Sequence, residues 1–197
     1  MLEEAARQYG AQIDIRWHAY ELRPEPIALP DPEGPYIKEH WHNRVLPMAA
    51  QRGLVLRIPR RQIRSRRALQ ASLFAQAHGK FLEFDRAVFR ARFEADEDIS
   101  DIGVLARLAR EVGLDADGLA YAVTTGSCLD ELTADLTLAS RFGVNGVPAA
   151  FVGPETADLA EFFSNAEPVV GAVPYEWFAQ AIERALRSPS DVHNPEP

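Results

Sequence analysis

Ten residues, Gly143-Val144-Asn145-Gly146-Val147-Pro148-Ala149-Ala150-Phe151-Val152, constrain this chain more than any other stretch. A glycine stops a preceding helical pattern. A second glycine marks a tight turn, and an X-Pro bond opens a short apolar run. Proline at the first position of a strand avoids the loss of an interior ladder bond. Val147–Pro148 is also a candidate cis peptide, since X-Pro bonds are the only common place for one. A helix must therefore feed, through one turn, into a short buried strand.

The rest of the pattern supplies partners for that strand. Residues 2–9 read as a helix stopped by Gly10. Ile13, Ile15, Trp17 and Ala19 alternate with Asp14, Arg16 and His18, which predicts a strand with one buried face. Pro24, Pro26, Pro30, Pro32 and Pro35 make an extended connector. From about Tyr36 to Phe142 the period is helical. Leu69, Leu73, Phe74 and Ala77 form one stripe, and Phe81, Phe84, Val88, Phe89 and Phe93 the next. Ser100 is the expected N-cap of a helix carrying Ile102, Leu105, Leu108, Ala109 and Val112. Asp115 caps another that reaches about Thr125. Ser127-x-x-Asp130 resembles a capping box opening a helix that runs to Phe142. Two strands, 149–152 and 168–172, follow around a polar connector. Trp177, Phe178, Ala181, Ile182 and Leu186 make one face of a last helix after Pro174. The tail at 188–197 is rich in Pro, Ser, Asp and Asn and is expected to be disordered.

Composition narrows the function classes. A net charge of −8 argues against nucleic acid as a general partner. No apolar run approaches membrane-spanning length. The opening residues are not a secretory signal as written. The single cysteine, Cys128, excludes an intrachain disulfide and a zinc cluster. These features favour the cytoplasm.

Several segments in this order resemble the DsbA family of thioredoxin-like proteins, and its FrnE-like subgroup in particular. They are Arg16-Trp17-x-x-Tyr20-Glu21-Leu22, Arg64-Ser65-Arg66-Arg67-Ala68-Leu69, Phe89-x-Ala91-x-Phe93, Asp98-Ile99-Ser100-Asp101, Gly143-Val144-x-Gly146-Val147-Pro148 and Val169-Val170-Gly171-Ala172-x-Pro174. The resemblance implies an α/β thioredoxin-like fold with an inserted α-helical domain. The thioredoxin-like part would be 1–35 with 141–187, and the insertion 36–140. It also implies a central first strand and a Cys-x-x-Cys at the start of the first helix. Met1 falls within that helix, so the strand and both cysteines are expected to be missing. An N-terminal truncation, re-pairing of the remaining strands, or a strand donated by another chain would each account for this. An unfilled strand position would leave backbone groups unsatisfied at about 1–3 kcal/mol each.

On this resemblance Val147 and Pro148 are the site residues: they would align the backbone of a protein or peptide disulfide substrate beside the catalytic sulfurs. Three readings follow. The first is a thiol–disulfide oxidoreductase family member without its own dithiol. The second is a glutathione-dependent enzyme of the kappa-transferase or 2-hydroxychromene-2-carboxylate isomerase type, with glutathione as the cofactor to test and no other expected. The third is a redox-inactive module that binds peptides or subunits, with homodimers favoured by an exposed sheet edge. Cys128 is either a thiol activated at a helix start or a small packed residue. Arg57, Arg60, Arg61, Arg64, Arg66 and Arg67 are either an anion site or a face paired with the chain's own acids. His40-x-His42 falls short of a metal site.

Overall fold

A computed structural model describes residues 1–187; the tail at 188–197, expected to be disordered, lies outside the described residues. By contacts the chain forms two compact units. The first comprises Met1–His18 and the chain from Leu138 onward; the second is Ala19–Thr137. Residues 19–35 thus fall in the second unit.

The first unit holds α1 (Leu2–Tyr9), the end of α8 (Leu129–Arg141), β1 (Ala149–Val152), α9 (Leu159–Asn165), β2 (Glu167–Val170) and α10 (Tyr175–Arg187). Gly10, at φ 54°, ends α1, and the left-handed region costs glycine little. Phe178 and Ile182 of α10 pack with Ala5 and Tyr9 of α1. Ala150 and Val152 of β1, Val169 of β2 and Ile13 complete this core. The apolar face expected on α10 is narrower than its sequence suggests. Phe178, Ala181 and Ile182 are buried, while Trp177 is 63% exposed and Leu186 is also exposed. The polar connector between the strands contains α9, whose Asp158 side chain caps the amides of Ala160 and Glu161.

β1 and β2 pair antiparallel, with Ala149 opposite Val170 and Val152 opposite Glu167. The Gly171 N–H donates to the Pro148 carbonyl at 2.8 Å. That bond makes 148 and 171 a hydrogen-bonded pair. By the antiparallel alternation, the backbone groups of Ala149 and Phe151 then point away from β2. The missing N–H of Pro168 points away from β1, so this proline removes no ladder bond.

The strand expected at 13–19 is a correction. Its alternation survives: Ile13, Ile15, Trp17 and Ala19 are half-buried, and Asp14, Arg16 and His18 are exposed. Yet the sheet contains only β1 and β2 among the described residues, so 13–19 joins no ladder. Side-chain alternation reports a buried face, whereas a strand also needs a neighbour to bond.

The second unit is helical. α2 (Pro35–His40) and α3 (Leu46–Gln51) are joined by a π-helical turn at Trp41–Val45. Pro47 has no N–H for the i→i−4 bond, and the ladder widens one turn before it. α4 (Arg66–Ala77), α5 (Phe81–Phe93), α6 (Ile102–Glu111) and α7 (Ala116–Thr125) enclose the main core. Phe84, Leu105 and Leu119 are fully buried there; each such side chain contributes about 1.5–3 kcal/mol relative to exposure. Two caps differ from expectation. Asp101, not Ser100, caps α6, accepting from the amides of Gly103 and Val104. Ser100 instead donates to Asp98 at 2.5 Å. The capping box at Ser127 does not form: Gly126 ends α7 in the left-handed region, Ser127 bonds Thr125, and α8 begins at Leu129.

Candidate functional site

The loop between α8 and β1 carries the two residues singled out in the sequence. α8 stops because Gly143 turns to φ 69° and the Val144 N–H closes back on the Ala139 carbonyl at 2.8 Å. Aromatic rings pin both ends of the loop. Phe163 of α9 stacks on Phe142 at 4.4 Å and meets Phe151 of β1 edge-on at 4.8 Å. Phe162 adds a T-shaped contact to Phe163 at 5.3 Å. Arg141 lies over the Phe142 ring. These phenylalanines were missing from the sequence-based site. Their signal was the Phe162-Phe163 pair inside a connector that otherwise looks polar.

Between these anchors Val147 is 54% exposed, and the Val147–Pro148 peptide is cis. Pro148 is tied to the end of β2 through its carbonyl, as above. Val147 therefore stands on a fixed support with its side chain toward solvent. Next to it lies the β1 edge that carries the Ala149 and Phe151 backbone groups. Chemically, this edge presents an apolar side chain followed by backbone donors and acceptors. It contains no nucleophile of its own.

The other candidates take plainer places. Cys128 is half-buried, and its carbonyl accepts the first helical bond of α8 from Leu132 at 3.1 Å. Burial pushes its thiol pKa up, and the Glu131 carboxylate adds to the rise. Of the two readings of Cys128, desolvation and a like-signed neighbour favour the packed residue over a thiol activated at a helix start.

The arginine cluster is largely engaged within the helical unit. Arg60 pairs with Asp96 at 2.7 Å and Arg66 with the buried Glu21 at 2.7 Å. Arg64 donates to the Arg23 carbonyl at 2.7 Å and Arg67 to that of Ser100 at 3.0 Å. The buried Arg92 bonds the Arg61 carbonyl. His40 stacks on Tyr36, and His42 Nδ1 contacts the Lys38 carbonyl at 2.6 Å. Among the described residues no three His, Cys, Asp or Glu side chains are grouped to hold a metal. No described helix is long and apolar enough to cross a membrane.

Comparison with known proteins follows the same lines. The chain is 31% identical over 155 residues to the uncharacterized protein YwbO of Bacillus subtilis, covering 77% of this chain and 76% of that one. The crystal structure of the probable DsbA oxidoreductase SCO1869 from Streptomyces coelicolor superposes with a TM-score of 0.66. That match covers 91% of this chain and 79% of the other at 23% identity, and it shows a shared fold. The family model for the DSBA-like thioredoxin domain matches residues 1–183. A helix-to-loop-to-strand turn ending in Val147–Pro148, a small mixed unit and a large helical one all agree with that match, and the chain belongs to the DSBA-like thioredoxin domain family.

Proposed function

We propose that this chain provides the substrate-aligning part of a thiol–disulfide oxidoreductase of the FrnE-like type. Val147, Pro148 and the outward edge of β1 would bind an extended segment of a disulfide-bearing protein or peptide. The observation that carries the reading is the support beneath Val147. Its exposed side chain sits on a proline bonded to β2, beside a strand edge whose Ala149 and Phe151 backbone groups face outward.

Chemistry sets a limit on the chain's own turnover. Dithiol exchange needs one thiolate to attack and a second thiol to resolve the mixed disulfide. With Cys128 as its single cysteine, and with that thiol's pKa raised, this chain is expected to bind such substrates without cycling them. One cysteine also fits a reducing, cytoplasmic setting.

The test has two arms. A fluorescent peptide containing a disulfide is titrated against the protein and Val147→Arg; binding weakened at least tenfold by the substitution is expected, and equal binding overturns the loop assignment. Insulin reduction by the wild type is expected at background. Turnover that disappears in Cys128→Ser would overturn the redox assignment. Reading the coding DNA in frame ahead of Met1 for a Cys-x-x-Cys separates a complete enzyme from a binding module. A second copy could occupy the same β1 edge; light scattering on the eluting protein distinguishes this from peptide binding.

A further inference from the structure

An extended segment of this chain changes unit without a break. Up to Trp17, alternate residues are half-buried, and Ile13 packs into the core of the first unit. From Ala19 the alternate residues are anchored in the helical unit, this time by polar groups. The Ala19 N–H donates to Asp135 Oδ2 at 2.6 Å. Glu21 receives Arg66 Nε and Nη2 at 2.9 and 2.7 Å. The Arg23 carbonyl receives Arg64 Nη1 at 2.7 Å.

The positions of these anchors matter. The helical unit spans Ala19–Thr137. Ala19 is its first residue, and Asp135 lies in its last helical turn before the unit ends. Their hydrogen bond therefore joins the way in and the way out of the whole unit. Asp135 is 9% exposed, and hydrogen bonds to a charged, water-poor acceptor are among the stronger ones. Releasing such a carboxylate from its donor leaves a buried charge less satisfied.

We infer that Asp135 is a neck clamp for the helical unit: its carboxylate holds residues 19–23 against that unit, and this bond limits local opening of the segment. Glu21–Arg66 and Arg64 act as further anchors along the same extended run. When the Asp135 bond opens, residues 19–23 would loosen while α4–α7, with their own apolar core, stay folded. Local opening of this kind is a separate, lower-energy event than global unfolding.

Residue-resolved hydrogen exchange on the full chain tests this. In D135A the Ala19 amide is expected to exchange at least tenfold faster, with the amides of 20–23 following. The amides of α4 and α7 keep their wild-type rates. Unchanged exchange at Ala19 overturns the clamp. Acceleration of α4 and α7 by the same factor also overturns it, since Asp135 would then serve global stability. If D135A does not fold, D135N decides: its amide oxygen is a weaker acceptor, so the Ala19 rate should rise severalfold, and an unchanged rate overturns the proposal.

Discussion

Asp85 shows how one side chain can act against the fold that holds it. It is half-buried on α5, with Phe81, Leu82, Val88 and Phe89 at one-turn spacing. It makes no hydrogen bond or ion pair among the described residues. Burial alone pushes its pKa from 3.8 to about 6. For an acid raised in the folded state, the unfolded chain loses its proton first. The folded state is therefore penalised increasingly as pH rises from about 4 to 6, and fully above that. Asp85→Asn removes the charge and keeps the shape. Urea unfolding should show the variant more stable by up to about 3 kcal/mol at pH 7, from a shift of about two pKa units at 1.36 kcal/mol each. The difference should vanish near pH 4. A variant no more stable at pH 7 would show that Asp85 reaches water in solution. Nothing in the sequence around Asp85 announces this, because burial of a single helical position depends on which neighbouring side chains close over it.

Helix ends illustrate what the sequence does and does not reveal at the scale of an element. Ser100 and Asp101 are both good capping types, and adjacent candidates cannot be ranked by type alone. Backbone geometry decides: Asp101 is extended, at φ −80° and ψ 122°, and its carboxylate reaches the amides of Gly103 and Val104. Ser100 is drawn back to Asp98, whose pKa it lowers by donating its hydroxyl. Asp101→Ala should therefore cost about 0.5–2 kcal/mol and Ser100→Ala less, with urea midpoints as the readout; the reverse order would restore Ser100 as the cap. Asp115 was legible because no rival stood beside it. β1 was legible from Pro148 and the apolar run behind it, and α9 was not, since this helix is only seven residues long and offers just Leu159, Phe162 and Phe163 as a stripe. The segment 13–19 was half legible: its buried side was right, but ladder bonds depend on a neighbour that local sequence does not describe. The turn and strand start at Val147 and Pro148 were legible from turn chemistry, whereas the Phe163 ring that bridges Phe142 and Phe151 comes from the helix beyond the strand and meets them only on folding.

At the scale of the whole molecule the two units rest on unequal cores. In the helical unit Phe84, Leu105, Leu119 and their neighbours bury a continuous apolar cluster across α4–α7. The first unit relies on Ala5, Tyr9, Phe178 and Ile182 over two short paired strands. Two strands alone are marginal, so the packing of α1 and α10 on them carries this unit. Ile182 is 4% exposed at the centre of that packing. Truncation to alanine should cost about 2–5 kcal/mol locally, enough to open the first unit when total stabilities lie at about 5–15 kcal/mol. The expected signature in Ile182→Ala is rapid hydrogen exchange across α1, β1, β2 and α10, while α4, α6 and α7 remain protected. Loss of protection in both units together, with a single coincident unfolding transition, would show that the chain folds as one cooperative body. The Val147 loop belongs to the smaller unit, so under the proposed function the same variant should also weaken peptide binding, although Ile182 lies in the interior on α10 and not in that loop.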